Sequence, residues 1–135
     1  MTQGKLKKPV AELVRDAKAR IEEIAAKDAI AMAAQDDVVI VDIRDVRERQ
    51  KLGFVPNSVH APRGMIEFWI DPESPYFKEV FGQDKKYVLY CAAGWRSALT
   101  AATLQDMGFE AAHITEGFAG WVAENGPVEQ APPRS

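Results

Sequence analysis

The 135-residue chain has one cysteine, Cys91. It closes the apolar run YVLY (87–90) and opens the segment CAAGWRS (91–97), after which a stretch of helix formers begins. A thiol at such a junction can act as a nucleophile if it is held as the thiolate. The residues behind it suit that task. Ala92 and Ala93 carry little bulk, and Gly94 can take a positive φ. A tight turn of this kind aims successive backbone N–H groups inward as an anion nest. A helix starting at Ser97 adds the positive end of its dipole, and Arg96 adds a full charge. Such surroundings lower a thiol pKa from about 8.5 toward about 4–7, which makes the thiolate the major form at neutral pH. The competing reading is a structural core cysteine, because free Cys is among the most buried residue types. The small glycine-bearing turn, the arginine and the helix start together favour the nucleophile.

One cysteine excludes an internal disulfide, a Cys-x-x-Cys redox pair and a multi-cysteine metal site. Whatever Cys91 accepts must therefore leave on another molecule. Asp42, Asp45 and Glu48 do not read as a metal cluster: Asp42 ends a strand, while Asp45 and Glu48 match a capping box for a helix over 46–51. No metal or cofactor is expected. His60 and His113 fall at strand positions and read as structural. Arg44 either pairs with one of the three acids or faces the site. Arg63 stands where a cation could help hold an anion. Trp95, inside the turn, should point outward, and could form a rim with Trp69 over the sulfur.

These residues need elements to position them. Val10, Leu13, Val14, Ala17, Ile21 and Ile24 follow helical spacing, which predicts an amphipathic N-terminal helix that starts after Pro9. A second helix is expected at about 27–35. VVIVD (38–42) and KYVLYC (86–91) read as strands buried on both faces, because their apolar runs are nearly continuous. SVHAP (58–62) and AAHIT (111–115) read as shorter strands. The segment 63–81 is irregular or partly helical. Helices are expected over 97–108, with Gly108 closing the first, and over 116–125. Strand and helix alternate with short links, which is the pattern of a parallel α/β sheet with helices on both faces. Ligands bind such sheets beyond the carboxyl ends of the strands, where Cys91 lies.

The net charge of −3 argues against nucleic acid as a partner, and the Lys5, Lys7 and Lys8 cluster reads as a solubilising end. No apolar run reaches a membrane span, and the N-terminus lacks the features of a secretion signal, so a cytoplasmic location is expected. The chain divides into an N-terminal helical extension (1–21), a core domain (22–126) and a tail (127–135) expected to fray. The extension's apolar stripe must be covered, either by its own domain or by a second subunit in a homodimer.

Three segments resemble the rhodanese family of single-domain sulfurtransferases over about residues 22–126. CAAGWRS (91–97) is similar to its six-residue active-site loop. VDIRDVRERQKLGFVPNSVHAP (41–62) resembles its Asp-x-Arg, Glu, Gly-x-x-Pro pattern, and ITEGFAGWVAENGPVE (114–129) its Gly-x-x-x-Trp ending. Phe54 and Val55 replace the usual His-Ile, and Glu116-Gly117 the usual double glycine. The resemblance implies a parallel sheet of about five strands. It also implies transfer of a sulfane sulfur, from thiosulfate or another persulfide donor, through a Cys91 persulfide to cyanide or a thiol. Protein acceptors would be thioredoxin or a sulfur carrier. By resemblance, the N–H groups of Ala92, Ala93, Gly94, Trp95, Arg96 and Ser97 hold the persulfide, and Arg96 holds the anionic donor. Two alternatives stand beside this reading: a non-catalytic binding module, and a phosphatase or arsenate reductase on the same fold. The second expects one more residue before the arginine, so that Ser97 occupies the arginine's place, and it expects histidine where Tyr90 stands.

Overall fold

The computed structural model describes residues 4–132. Its centre is built from the two nearly continuous apolar runs. β2 (Val38–Asp42) and β4 (Lys86–Tyr90) pair in parallel from Val38–Lys86 to Asp42–Tyr90. β1 (Glu23–Ile24), β3 (Val59–His60) and β5 (Ala112–Ile114) complete a five-stranded, all-parallel sheet in the order β1-β5-β4-β2-β3. Among the described residues six helices surround it: α1 (Val10–Lys18), α2 (Ala26–Met32), α3 (Val46–Leu52), α4 (Ile66–Ile70), α5 (Trp95–Asp106) and α6 (Gly117–Ala123). A 3-10 turn, Glu79–Gly82, precedes β4.

Side chains alternate across the sheet with the strand period of two. On one face Val88 and Tyr90 pack with Ile40, Ile114, Phe118 and Trp121, under α2 and α6. On the other, Tyr87, Leu89 and Cys91 pack with Val41, Ile66 and Leu104, under α4 and α5. Both faces are covered, so the central strands need no polar alternation. Because the two strands pair in register to their last residues, Asp42 and Tyr90 finish level, and Cys91 follows at the carboxyl edge.

Three elements differ from the expectations. The N-terminal helix ends at Lys18, not Ile24. Glu23 and Ile24 instead form the edge strand β1 beside His113 and Ile114. The bonds Glu22 O to His113 N–H (3.1 Å) and Ile24 O to Thr115 N–H (3.0 Å) hold them extended. α5 begins at Trp95, two residues before Ser97, because Gly94 turns the chain at φ 95°. The segment after Gly126 is tied down as far as Glu129. Phe54 and Glu129 exchange two 2.9 Å backbone hydrogen bonds, and Trp121 Nε1 donates to Pro127 O at 2.7 Å. The last part of the expected tail (133–135) and the first part of the extension (1–3) lie outside the described residues.

α1 packs on its own domain, with Val14 and Ala17 buried against Ala98 and Ala102 of α5. Leu6, Val10 and Leu13 stay exposed. Among the described residues no helix is long and apolar enough to cross a membrane.

Candidate active site

Cys91 is the first residue past β4, and the turn behind it is clamped onto α6. The Cys91 carbonyl accepts the Phe118 N–H at 2.8 Å, and the Ala92 carbonyl accepts the Ala119 N–H at 3.1 Å. Two glycines make this close approach feasible. A Cβ on Gly94 would collide with the Thr115 carbonyl, and one on Gly117, at φ 65°, would sit 2.6 Å from the Ala92 oxygen. Any other residue at either place would push the turn off the β5–α6 junction.

The sulfur sits in the nest that this turn makes. Gly94 N–H donates to Sγ at 3.1 Å and Ser97 N–H at 3.4 Å, while the Ser97 hydroxyl oxygen lies 3.5 Å away. Only 1% of Cys91 is exposed. Burial pushes its thiol up. The Ser97 hydroxyl and the N–H groups of Ser97, Ala93 and Gly94 outweigh that and hold it below the ordinary thiol value. Cys91 is thus a buried side chain whose surroundings favour the thiolate.

Arg96 takes a partner that the sequence hides. Its Nη1 and Nη2 donate to the two carboxylate oxygens of Glu48 on α3, at 2.8 and 3.0 Å. Glu48 stands at the capping-box position: Asp45 caps α3 by accepting the Arg47 N–H at 2.8 Å, and the Asp45 backbone N–H in turn helps to stabilise the Glu48 carboxylate. Arg96 first, against burial, holds the Glu48 carboxyl below its usual range. The fork uses two of five guanidinium N–H groups, which leaves donors for an anion. Glu48 also cancels the charge that Arg96 offers. Glu48→Gln is therefore expected to lower the KM for a small dianion several-fold at low salt, an advantage that fades as the Debye length shortens. Initial rates at low and at high ionic strength check this.

Beneath the loop lies a second polar layer. Arg44, fully buried, donates Nε and Nη2 to the Asp42 carboxylate at 2.9 Å each and Nη2 to Gly53 O at 2.8 Å. Its guanidinium stands over the rings of Tyr90 (5.2 Å) and Phe118 (4.4 Å). Of the two roles open to Arg44, the structure gives it pairing with Asp42, as a brace for the strand ends. His60 Nε2 bonds Arg44 O at 2.7 Å.

The remaining candidates lie farther out. Trp95 is 49% exposed at the rim of the turn. Trp69 is half-buried under the Lys78 ammonium, 4.9 Å from the ring centroid, and among the described residues no aromatic ring pairs with Trp95. Arg63 is exposed and lines a hollow with Leu13, Arg20 and Leu99 between α1 and α5. His113, read as structural, is buried, with Nδ1 2.8 Å from Ser97 Oγ and Nε2 3.0 Å from Glu23 Oε2. Among the described residues no group of three His, Cys, Asp or Glu is arranged to hold a metal ion.

A family model described as "Rhodanese-like domain" matches residues 25–124. The chain is 31% identical over 108 residues to the thiosulfate sulfurtransferase GlpE of Glaesserella parasuis, covering 79% of this chain and 92% of that one. A solved protein of unknown function from Rhodopseudomonas palustris, described as a possible tyrosine phosphatase, is 48% identical with a TM-score of 0.90, over 96% of this chain and 99% of that one. The polysulfide-sulfur transferase homodimer of Wolinella succinogenes is 28% identical with a TM-score of 0.66, over 87% and 85%.

Proposed function

The chain belongs to the rhodanese-like domain family, and from that premise we propose that it is a sulfurtransferase working through a Cys91 persulfide. The observation that carries this reading is the nest on Sγ, with Gly94 and Ser97 N–H groups aimed at the sulfur. The Cys91 thiolate attacks the outer sulfur of thiosulfate. The sulfur–sulfur bond of the donor breaks, its electron pair leaves with sulfite, and a new bond forms between Sγ and the transferred sulfur. That outer sulfur carries the negative charge, which the backbone N–H groups of 92–97 stabilise. Cyanide or a thiolate then attacks it and restores the Cys91 thiolate. The donor is thiosulfate or another persulfide, and the acceptor cyanide, a small thiol, thioredoxin or a protein sulfur carrier. A reducing compartment such as the cytoplasm keeps the lone thiol available.

The test is the intact mass of the protein after thiosulfate treatment. The expected result is one added sulfur on Cys91, removed by cyanide with formation of thiocyanate. A protein that gains no sulfur from thiosulfate or from a glutathione persulfide would sink the proposal.

A phosphatase is the second reading, favoured by the description of the 48%-identical relative. Two features oppose it. Only four residues separate Cys91 from Arg96, one short of the wrap that a tetrahedral oxyanion needs, and Arg96 is forked to Glu48. Hydrolysis of an aryl phosphate by a protein that takes up no sulfur would reverse the preference.

A further inference from the structure

His113 is a buried titratable group that this mechanism leaves unused, and it is tied to the sulfur through one hydroxyl. Its surroundings form a single hydrogen-bonded line. Cys91 Sγ is 3.5 Å from Ser97 Oγ, which is 2.8 Å from His113 Nδ1; His113 Nε2 is 3.0 Å from Glu23 Oε2. The line runs from β4 through α5 and β5 to β1. Cys91, Ser97 and His113 are buried, whereas the Glu23 side chain is 32% exposed. A buried thiol has no direct route for its proton to water, and this line ends at one.

The donors and acceptors allow two self-consistent states. In the first, the thiol S–H donates to Ser97 Oγ, the Ser97 hydroxyl donates to His113 Nδ1, and Nε2–H donates to Glu23. In the second, each proton between sulfur and Nδ1 has moved one place. The thiolate accepts from the Ser97 hydroxyl, the Ser97 oxygen accepts from Nδ1–H, and the imidazolium donates Nε2–H to the carboxylate. One S–H bond is broken and one N–H bond formed, with no proton entering or leaving. The new negative charge on sulfur is matched by a positive charge on the ring, which Glu23 supports.

We propose that His113, acting through Ser97, is the resident acceptor of the Cys91 thiol proton, with Glu23 as the group that stabilises the charge it takes. His113 is here a positioning residue, one bond removed from the reacting atom. The inference rests on Cys91 being the nucleophile of the reading above, but not on sulfur being what it takes. The charged groups around the line are few. Glu23 of β1 faces the ring, and Lys18 of α1 lies 4.0 Å from the same carboxylate oxygen. Cys91 is on the other side, with Arg96 of α5 and Glu48 of α3 beyond it. Burial, helped by Lys18 and opposed by Glu23, holds His113 below the ordinary imidazole value. While Cys91 keeps its proton this favours the neutral ring, whose Nδ1 can accept.

The experiment is the rate of Cys91 alkylation by iodoacetamide across pH, for the wild type, Glu23→Gln and His113→Asn. Glu23→Gln keeps shape and removes only the charge at the solvent end. The relay expects its alkylation midpoint to rise by about one pH unit, a tenfold loss of thiolate below both midpoints. A merely structural histidine expects the opposite sign, because removal of a nearby negative charge favours the thiolate. His113→Asn keeps a polar atom near Nδ1 without its basicity and is expected to raise the midpoint similarly. In the wild type at pH 7, the His113 ring NMR signal should be that of an imidazolium and become neutral once Cys91 is alkylated. A folded Glu23→Gln protein with an unchanged or lowered midpoint, or a neutral ring before alkylation, overturns the relay. A wild-type Cys91 that does not react as a thiolate at neutral pH overturns the transferase reading instead.

Discussion

Cys91→Ser is expected to remove sulfur transfer completely, with turnover falling by at least about three orders of magnitude while the fold survives. The loss follows from what the site stabilises. The nest on Sγ holds an anion, and a serine hydroxyl in the same place remains neutral at pH 7. Nor can oxygen replace sulfur in the intermediate, since the transferred atom must sit in a sulfur–sulfur bond that the acceptor can break. The chain has no second cysteine to take over. The fold should survive because Gly94 N–H, Ser97 N–H and the Ser97 hydroxyl surround that position, so the new Oγ finds partners in spite of burial. Thiocyanate formation and thermal unfolding, measured on the same preparation, check both halves. Residual thiocyanate formation near the wild-type rate would mean that the acceptor attacks the donor directly, with the protein only binding it.

What the sequence alone reveals of this site depends on how locally each part is determined. β2 and β4 are legible because strands buried on both faces must be apolar at consecutive positions, and no amphipathic helix is. The nest is legible because it is made of backbone, so small residues and one glycine suffice to announce it. β1 is not. Ile21 and Ile24 continue the spacing of Val10, Leu13, Val14 and Ala17, and two residues are too few for a strand to show its own period. The pairing that decides their conformation lies about ninety positions away in β5. Glu48 is masked by its local role: it stands three residues after an N-cap, where a capping glutamate belongs, and its ion-pair partner Arg96 is on another element. His113 fails to signal for the same reason. A histidine on a strand gains meaning only from what the neighbouring strand and helix place against its two nitrogens.

The largest stability change is expected beneath the loop, from Asp42→Asn, at about 3–5 kcal/mol. Asp42 is fully buried, and its carboxylate accepts five donors. Oδ1 takes the Arg44 backbone N–H at 3.0 Å and Nε at 2.9 Å. Oδ2 takes Arg44 Nη2 at 2.9 Å, Arg49 Nη1 at 3.0 Å and the Tyr90 hydroxyl at 2.8 Å. An asparagine turns one of those oxygens into an NH₂, which faces donors, and leaves the Arg44 charge buried over the rings of Tyr90 and Phe118 without its counter-ion. Arg47→Ala is the contrast: it removes only the exposed ion pair with Asp45, leaves the Asp45 cap in place, and should hardly register. The pH dependence gives the claim a second edge. Burial pushes the Asp42 carboxyl up, but the Arg44 bonds and charge outweigh it and hold it below the ordinary value. The native protein therefore takes up this proton later than the unfolded chain does. The stabilisation is complete above the unfolded value of about 3.9 and is lost as pH falls through the native one. Urea unfolding of wild type and Asp42→Asn should thus differ most near neutral pH and converge in acid below pH 4. A gap that persists unchanged into acid would assign the cost of the substitution to packing rather than to the charge. The site shares in the outcome, because Asp42 and Tyr90 end their strands level and Cys91 takes its place from that edge.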